Sequence, residues 1–583
     1  MISGEPRRLR AAAIAVPLVL ALVLWVYWPV RLGGFVWDDQ LCFHDAAWLR
    51  HGSLWANYMF RGFCDWTDYF RPLVVAFYVL QVRLFDSTPG PMHLVSLGLH
   101  LVNTLLVGML ALKLRTRLPS GWVPVALCTL LYGLHPALIE PVFWIGCQYE
   151  LFVTMFVLLG LTLNEAIERS WLRAAAVAAS FFLAAGAKES AVAFPLLLAV
   201  FDFAATPMHR IGSVRTWMRR QWPVYLAVLG AGLLYLALRH WAIGPPSATS
   251  DEPFWSLARL HKVGLTYLSY WKLLLWPMSG LGPIHPVDEA RFTDAGWQAL
   301  TWDAGAATVI TYGVFALFRQ PPLGRVLLGV TAALFPVLHV LPIAFNESLY
   351  HERYAMTALA VACASMPALF ATVPRRPALR RSSGALACLW LVLAIANIRI
   401  TLPLWSDELA LWQWALREYP DSLIAKQHLL AKYVEHGDRA RARALGDALI
   451  AEKAPCPVCM LSIAYMALNE HDPVRASLAI DRIRNAESVP NDPLFMEEFI
   501  IAQGELFELR NDPAGAAAAY RDASRIDPLD PRPQMNLAYL LLRKGEALEA
   551  RRTAEAALAL FAPEERDARR QTFEQAASAG QQP

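Results

Sequence analysis

The sequence predicts an all-α chain in two parts: a polytopic membrane domain of about ten to twelve transmembrane helices over 1–403, then an α-solenoid over 404–575, with 576–583 a disordered tail. Three observations predict it. Apolar residues make up 56% of the 583 and charged residues only 17%, where a soluble domain carries about 25%. Uncharged stretches recur as far as about 403, many near the roughly 20 residues a helix needs to cross about 30 Å of hydrocarbon. Beyond that point alanine, arginine and glutamate rise and the long apolar runs stop. A formal charge of +3 excludes a basic nucleic-acid surface, and the apolar content excludes a disordered chain.

The first span is AAAIAVPLVLALVLWVYWPV, between Arg10 and Arg31. Arg7, Arg8 and Arg10 precede it, which places Met1–Arg10 in the cytoplasm and the loop 32–70 outside. No small-x-small cleavage site follows, so the segment reads as an anchor. Further apolar stretches lie near 72–86, 93–112, 122–139, 141–161, 172–187, 190–205, 222–241, 261–277, 301–318, 323–343, 351–373 and 384–402. Basic clusters at Arg210, Arg215, Arg219 and Arg220, and at Arg375, Arg376, Arg380 and Arg381, read as cytoplasmic. Lys113, Arg115 and Arg117 break the simple alternation, so one segment between 93 and 161 is expected to be re-entrant or half-length.

The tail aligns by four turns, at Gly437, His471, Asn511 and Gly545, spaced by 34, 40 and 34 residues. A 34-residue period with small residues in the second helix is the tetratricopeptide pattern, and such arrays offer a concave face to a protein or peptide. An insertion near 487–495 accounts for the longer spacing. Among the cysteines, Cys128, Cys147, Cys363 and Cys388 read as packing residues, Cys42 and Cys64 share the first outside loop and could pair, and Cys456 and Cys459 read as a local disulfide or as helix packing. Zinc would need two further ligands near that pair, and none lies nearby in sequence.

Polar groups recur at the ends of spans. Asp38 and Asp39 follow the first span closely, Arg71 opens the second, and His93, His100 and Asn103 sit on the third. His135 and Glu140 interrupt the fourth, followed by Gln148 and Glu150. Lys188 and Glu189 separate two apolar stretches, and His339, Asn346, Glu347, His351, Glu352 and Arg353 crowd one outside edge. Ionisable groups at membrane depth are costly and mark functional partners. Carboxylates and cations gathered at the outer leaflet suit transfer of a group from a phosphate leaving group held in lipid.

The stretches FVWDDQLCF (35–43), YFRPLVVAFY (69–78), HLVSLGLHLVNTLL (93–106), LHPALIEPVFWIGCQYELF (134–152), KESAVAFPLLL (188–198), YLSYWKLLLWP (267–277) and LPIAFNESLYHERYAMTA (341–358), followed by the repeats, resemble the transmembrane and tetratricopeptide-repeat-containing O-mannosyltransferase-like family of GT-C membrane glycosyltransferases. The resemblance implies a GT-C fold and inverting transfer of a sugar from a polyprenyl-phosphate donor to an acceptor hydroxyl, on a protein that the repeats recruit. It implies Asp39 or Asp38 as general base, with Asp39 preferred. It also implies Arg71, Lys188, Arg353 and His351 as the donor-phosphate site, and His93, Asn103, His135, Glu140, Glu150, Glu189 and Glu352 as the lining of the substrate cavity. No resident cofactor is required, although a divalent cation, Mg or Mn, could bridge the acidic pair and the phosphate. Gly146-Cys147-Gln148 departs from the Gly-Arg pair usual in the family. An Ala/Arg-rich composition points to a bacterial inner membrane, with undecaprenyl phosphate as carrier and the repeats in the periplasm. A transporter or flippase, or a non-catalytic membrane scaffold, are the competing classes.

Overall fold

The computed structural model describes residues 5–39, 42–43, 59–62, 69–115, 123–206, 211–245, 256–288, 290–293, 296–340, 348–370, 377–486, 489–490, 493–561 and 563–579. They divide into two compact units, one ending at Leu411 and one beginning at Trp412. Both are built from helices.

Seven described helices in the first unit are long and apolar enough to cross a membrane, or eight if one bent pair counts as a single span. The unit is therefore a polytopic membrane domain, with fewer full-length spans than the ten to twelve expected. Four apolar helices are shorter than a full span. Pro72–Phe85, Phe194–Ala205, Pro321–Leu334 and Met356–Phe370 are 14, 12, 14 and 15 residues long. In the first three, Pro falls at the first or second helical position, which fixes where the helix begins. The bent pair is Val123–Gly133 with Pro136–Phe143, which turn by 48°. The break sits at His135, whose Nδ1 accepts the Ala137 N–H (3.3 Å) ahead of Pro136. This interrupted segment falls within 93–161, where alternation failed.

Gln148–Ala166 is the central helix: its window is 83% buried, more than any other span. Its two ends carry different polar clusters, about 21 Å apart at 1.5 Å per residue between Glu150 and Asn164. At the far end Asp202 is buried and fully matched. It accepts from Asn164 Nδ2 (2.9 Å), Gln221 Nε2 (2.8 Å) and the Tyr225 hydroxyl (2.9 Å). Donors from two helices thus converge on the carboxylate of a third and tie the three together. The near end carries the cluster described below.

The second unit is a run of helical hairpins. All four sequence-aligned turn residues adopt left-handed backbone, with φ of 68° at Gly437, 55° at His471, 55° at Asn511 and 84° at Gly545. At three of the turns the next residue is aspartate, and its carboxylate caps the following helix. Asp438 accepts from Arg441 N–H (3.2 Å), Asp472 from Arg475 N–H (3.0 Å) and Asp512 from Gly515 N–H (2.9 Å). Small residues then let paired helices close on each other: Ala516, Ala523, Ala538, Ala550 and Ala554 sit in one core with Tyr520 and Leu541. The longer spacing falls between helices that end at Arg484 and restart at Pro493.

Cys456 and Cys459 form a disulfide at the start of Pro457–Asn469. Cys128, Cys147 and Cys363 are buried, whereas Cys388 is exposed, so the packing expectation holds for three of those four. Cys64 lies outside the described residues, and the pairing expected with Cys42 falls there with it.

At the fourth turn Glu546 holds the position of the capping aspartates and makes no side-chain cap bond. Glu546→Asp should stabilise the tail by about 0.5–1 kcal/mol, read as a rise in urea midpoint at unchanged slope.

Candidate functional site

The site gathers at the near end of the central helix because chain breaks there coincide. Arg71 is the residue before Pro72, Lys188 ends Ser170–Ala187, Glu150 lies in the first turn of Gln148–Ala166, and Arg353 lies just ahead of Met356–Phe370. Each cation is paired with its own carboxylate. Arg71 donates through Nε and Nη2 to Glu189 (3.2 and 3.0 Å). Lys188 donates to Glu150, and Arg353 Nη1 donates to Glu140. The backbone N–H of Arg353 adds a bond to the second oxygen of Glu140 (2.9 Å). Burying a charge without such a partner would cost several kcal/mol.

Two tyrosine rings join the three cations. Tyr149 lies under Arg71 (4.4 Å) and Lys188 (4.8 Å), and Tyr354 under Lys188 (4.2 Å) and Arg353 (4.7 Å). Arg353 also faces Trp144 (5.1 Å) and Trp37 (5.8 Å). Cation–π attraction strengthens when the cation is desolvated, as here. Burial works against the charge of Arg71 and Arg353. For Arg71 the carboxylate of Glu189, and for Arg353 Tyr354 and Glu140, more than offset it, so both guanidiniums are held more firmly protonated than usual.

The acidic pair divides into two environments. Asp39 is fully buried, and both its oxygens are taken by backbone: Oδ1 accepts from Gly146 N–H (2.7 Å) and Oδ2 from Val36 N–H (3.3 Å). Gly146 must be glycine, because a Cβ there would stand 2.8 Å from Trp144 Nε1 and 3.0 Å from Asp39 Oδ1. Burial raises the Asp39 carboxyl well above the carboxylate range, against the pull of those N–H groups. Asp38 is exposed but ringed by protein. That environment pushes its pKa up to about 6, with Arg353 pulling it down and Glu408 pushing it up. Between the strand of chain at 33–36 and Asp38, Trp37 holds φ at 58°, a strained conformation for a bulky residue, with its ring stacked on Trp144 (5.1 Å, 18°).

The other candidate residues fall into two groups. Glu352 accepts from Gly282 N–H (2.9 Å) and faces His285 Nε2 (2.9 Å). His351 lies beside Trp37 and Tyr354. Burial, then Arg353, lower its pKa well below the usual histidine range. His93, Asn103 and His135 are buried and bonded to backbone carbonyls of Gly34 (3.1 Å), Leu151 (2.9 Å) and Leu274 (3.2 Å), which makes them ties between chain segments. Gln148 is bound to Gln81, Ser96 and Met92 O. Asn346 and Glu347 lie outside the described residues.

The residues missed from sequence are Tyr149, Tyr354, Trp37, Trp144, Tyr69 and His285. For most of them a signal existed: WDD, YFRP, QYE and ERY each set an aromatic within two residues of a charged candidate. A divalent ion would need about six oxygen ligands. Asp39 has both oxygens engaged by backbone, and the described residues contain no group of three or more His, Cys, Asp or Glu that could hold a metal.

Asp39→Ala should cost about 2–4 kcal/mol by stranding two buried N–H groups, whereas exposed Asp38→Ala should stay within about 0.5 kcal/mol of wild type. Thermal unfolding of the two variants in detergent measures the contrast. Comparison with protein-family models, with curated proteins and with solved structures finds no match to this chain.

Proposed function

We propose that the chain is a membrane glycosyltransferase of GT-C type. In this reading it moves a sugar from a polyprenyl-phosphate donor to an acceptor hydroxyl at the outer face of the membrane, with inversion. One observation carries the reading: Arg71, Lys188 and Arg353, from three separate segments, converge on Tyr149 and Tyr354, and the charge of Arg353 reaches the carboxylate of Asp38. A phosphate leaving group and a hydroxyl nucleophile need these two kinds of group side by side. The resemblance in sequence order supports the same chemistry.

Asp38 is the base in this mechanism, in preference to Asp39, whose oxygens are occupied. The acceptor oxygen attacks the anomeric carbon and its proton passes to Asp38. The bond from that carbon to the phosphate oxygen breaks, and polyprenyl phosphate leaves with the electron pair, opposite Arg71 and Lys188. Arg353, held by Glu140 through side chain and backbone, keeps Trp37 and hence Asp38 in place. The hairpin tail is then a tetratricopeptide solenoid that recruits a protein acceptor, in the periplasm of a bacterium.

The test is turnover of polyprenyl-phosphate sugars by the full chain in nanodiscs, followed by release of lipid phosphate. Asp38→Asn should lower the rate by about 10²–10⁴-fold. A base must be ionised, so wild-type activity should rise with pH through about 6 and level off above it. Wild-type turnover by D38N would remove the base, and no turnover of any polyprenyl-phosphate sugar would count against the transferase.

A further inference from the structure

The Arg71 guanidinium lies between the rings of Tyr69 and Tyr149, each 4.4 Å from its central carbon. Rings on its faces leave the in-plane N–H edge as its hydrogen-bonding outlet. The Nε and Nη2 fork on that edge is shaped to receive two oxygens of a carboxylate or phosphate side by side. Glu189 fills it with one oxygen: both N–H groups donate to Oε2, while Oε1 is buried with no hydrogen-bond partner among the described residues. Exposure separates this pair from the other two. The Glu189 side chain is 33% exposed, against 4% for Glu150 and 1% for Glu140. Glu140 is held twice by Arg353, through backbone and side chain, and Glu150 is sealed against Lys188.

We propose that Glu189 is a displaceable counter-ion: it occupies the Arg71 fork at rest, yields it to the phosphate of the donor, and returns to expel the product phosphate. This rests on the transferase reading above. The donor is a phosphodiester with one negative charge. The released polyprenyl phosphate is a monoester, which carries about 1.5 to 2 negative charges at neutral pH. A carboxylate kept beside the fork therefore opposes the product more than the donor and speeds its departure. Glu189 becomes the residue that sets selectivity between the two lipids.

The experiment titrates a polyprenyl phosphate, and separately a polyprenyl phosphodiester, into the full chain in nanodiscs, with turnover measured in parallel. The forms compared are wild type, Glu189→Gln, Glu189→Ala and the double variant Glu189→Gln with Arg71→Gln. Both single variants should bind the monoester about tenfold more tightly, as removal of a nearby like charge predicts, and the phosphodiester by a smaller factor. Product inhibition of turnover should deepen to match, and the gain should vanish in the double variant. Unchanged or weaker monoester binding in both single variants overturns the counter-ion while wild-type binding and turnover leave the transferase standing. A wild type that neither binds nor turns over these lipids removes both.

Discussion

The membrane unit depends on one constraint: a charge taken out of water must meet an opposite charge at once. Arg71, Lys188 and Arg353 each meet theirs across long sequence separations, at Glu189, Glu150 and Glu140. Those three pairs fix where four chain breaks lie relative to one another, so the same electrostatics that permit the cations at membrane depth also assemble the site. Buried pairs of this kind add little net stability beyond an apolar substitute. What they supply is placement. The tyrosines between them make that placement rigid, since a ring shared by two cations cannot follow one without disturbing the other.

Which parts of this were legible in the sequence follows from range. Local signals read well. All four turn residues of the tail have left-handed backbone, and at three of them the tight turn and its capping aspartate are written in adjacent residues. The grouping of Arg71, Lys188, Arg353, Glu140, Glu150 and Glu189 was also legible, because charge in an apolar run is conspicuous. Which partner each would take was not, since pairing is decided by helix packing over separations of 38 to 213 residues. His93, Asn103 and His135 illustrate the same limit: polar residues on apolar helices read as cavity lining, yet each is bonded to a backbone carbonyl of a distant segment. Fewer described helices reach full span length than expected, because apolar runs such as 190–205 and 323–343 were visible while the helix bounds within them, Phe194–Ala205 and Pro321–Leu334, were not.

The acidic pair shows how adjacency in sequence can hide a division of labour. Asp39 is spent on holding two backbone N–H groups, one at Gly146 across the unit, and its carboxylate anchors the loop. Asp38, next to it, is lifted into the open by the strained Trp37. The strain is stabilised by stacking on Trp144, which the Gly146 turn also positions. One residue is therefore the foundation for the other, and the pair cannot be treated as two equivalent acids.

The tail is organised on a different principle from the membrane unit. Its first three turns each contain both the left-handed residue and the carboxylate that starts the next helix, so those three hairpins carry their own start signals. An array of this kind tolerates lesions in the way a chain of short links does: weakening one loosens its immediate neighbours, while more distant hairpins keep their shape.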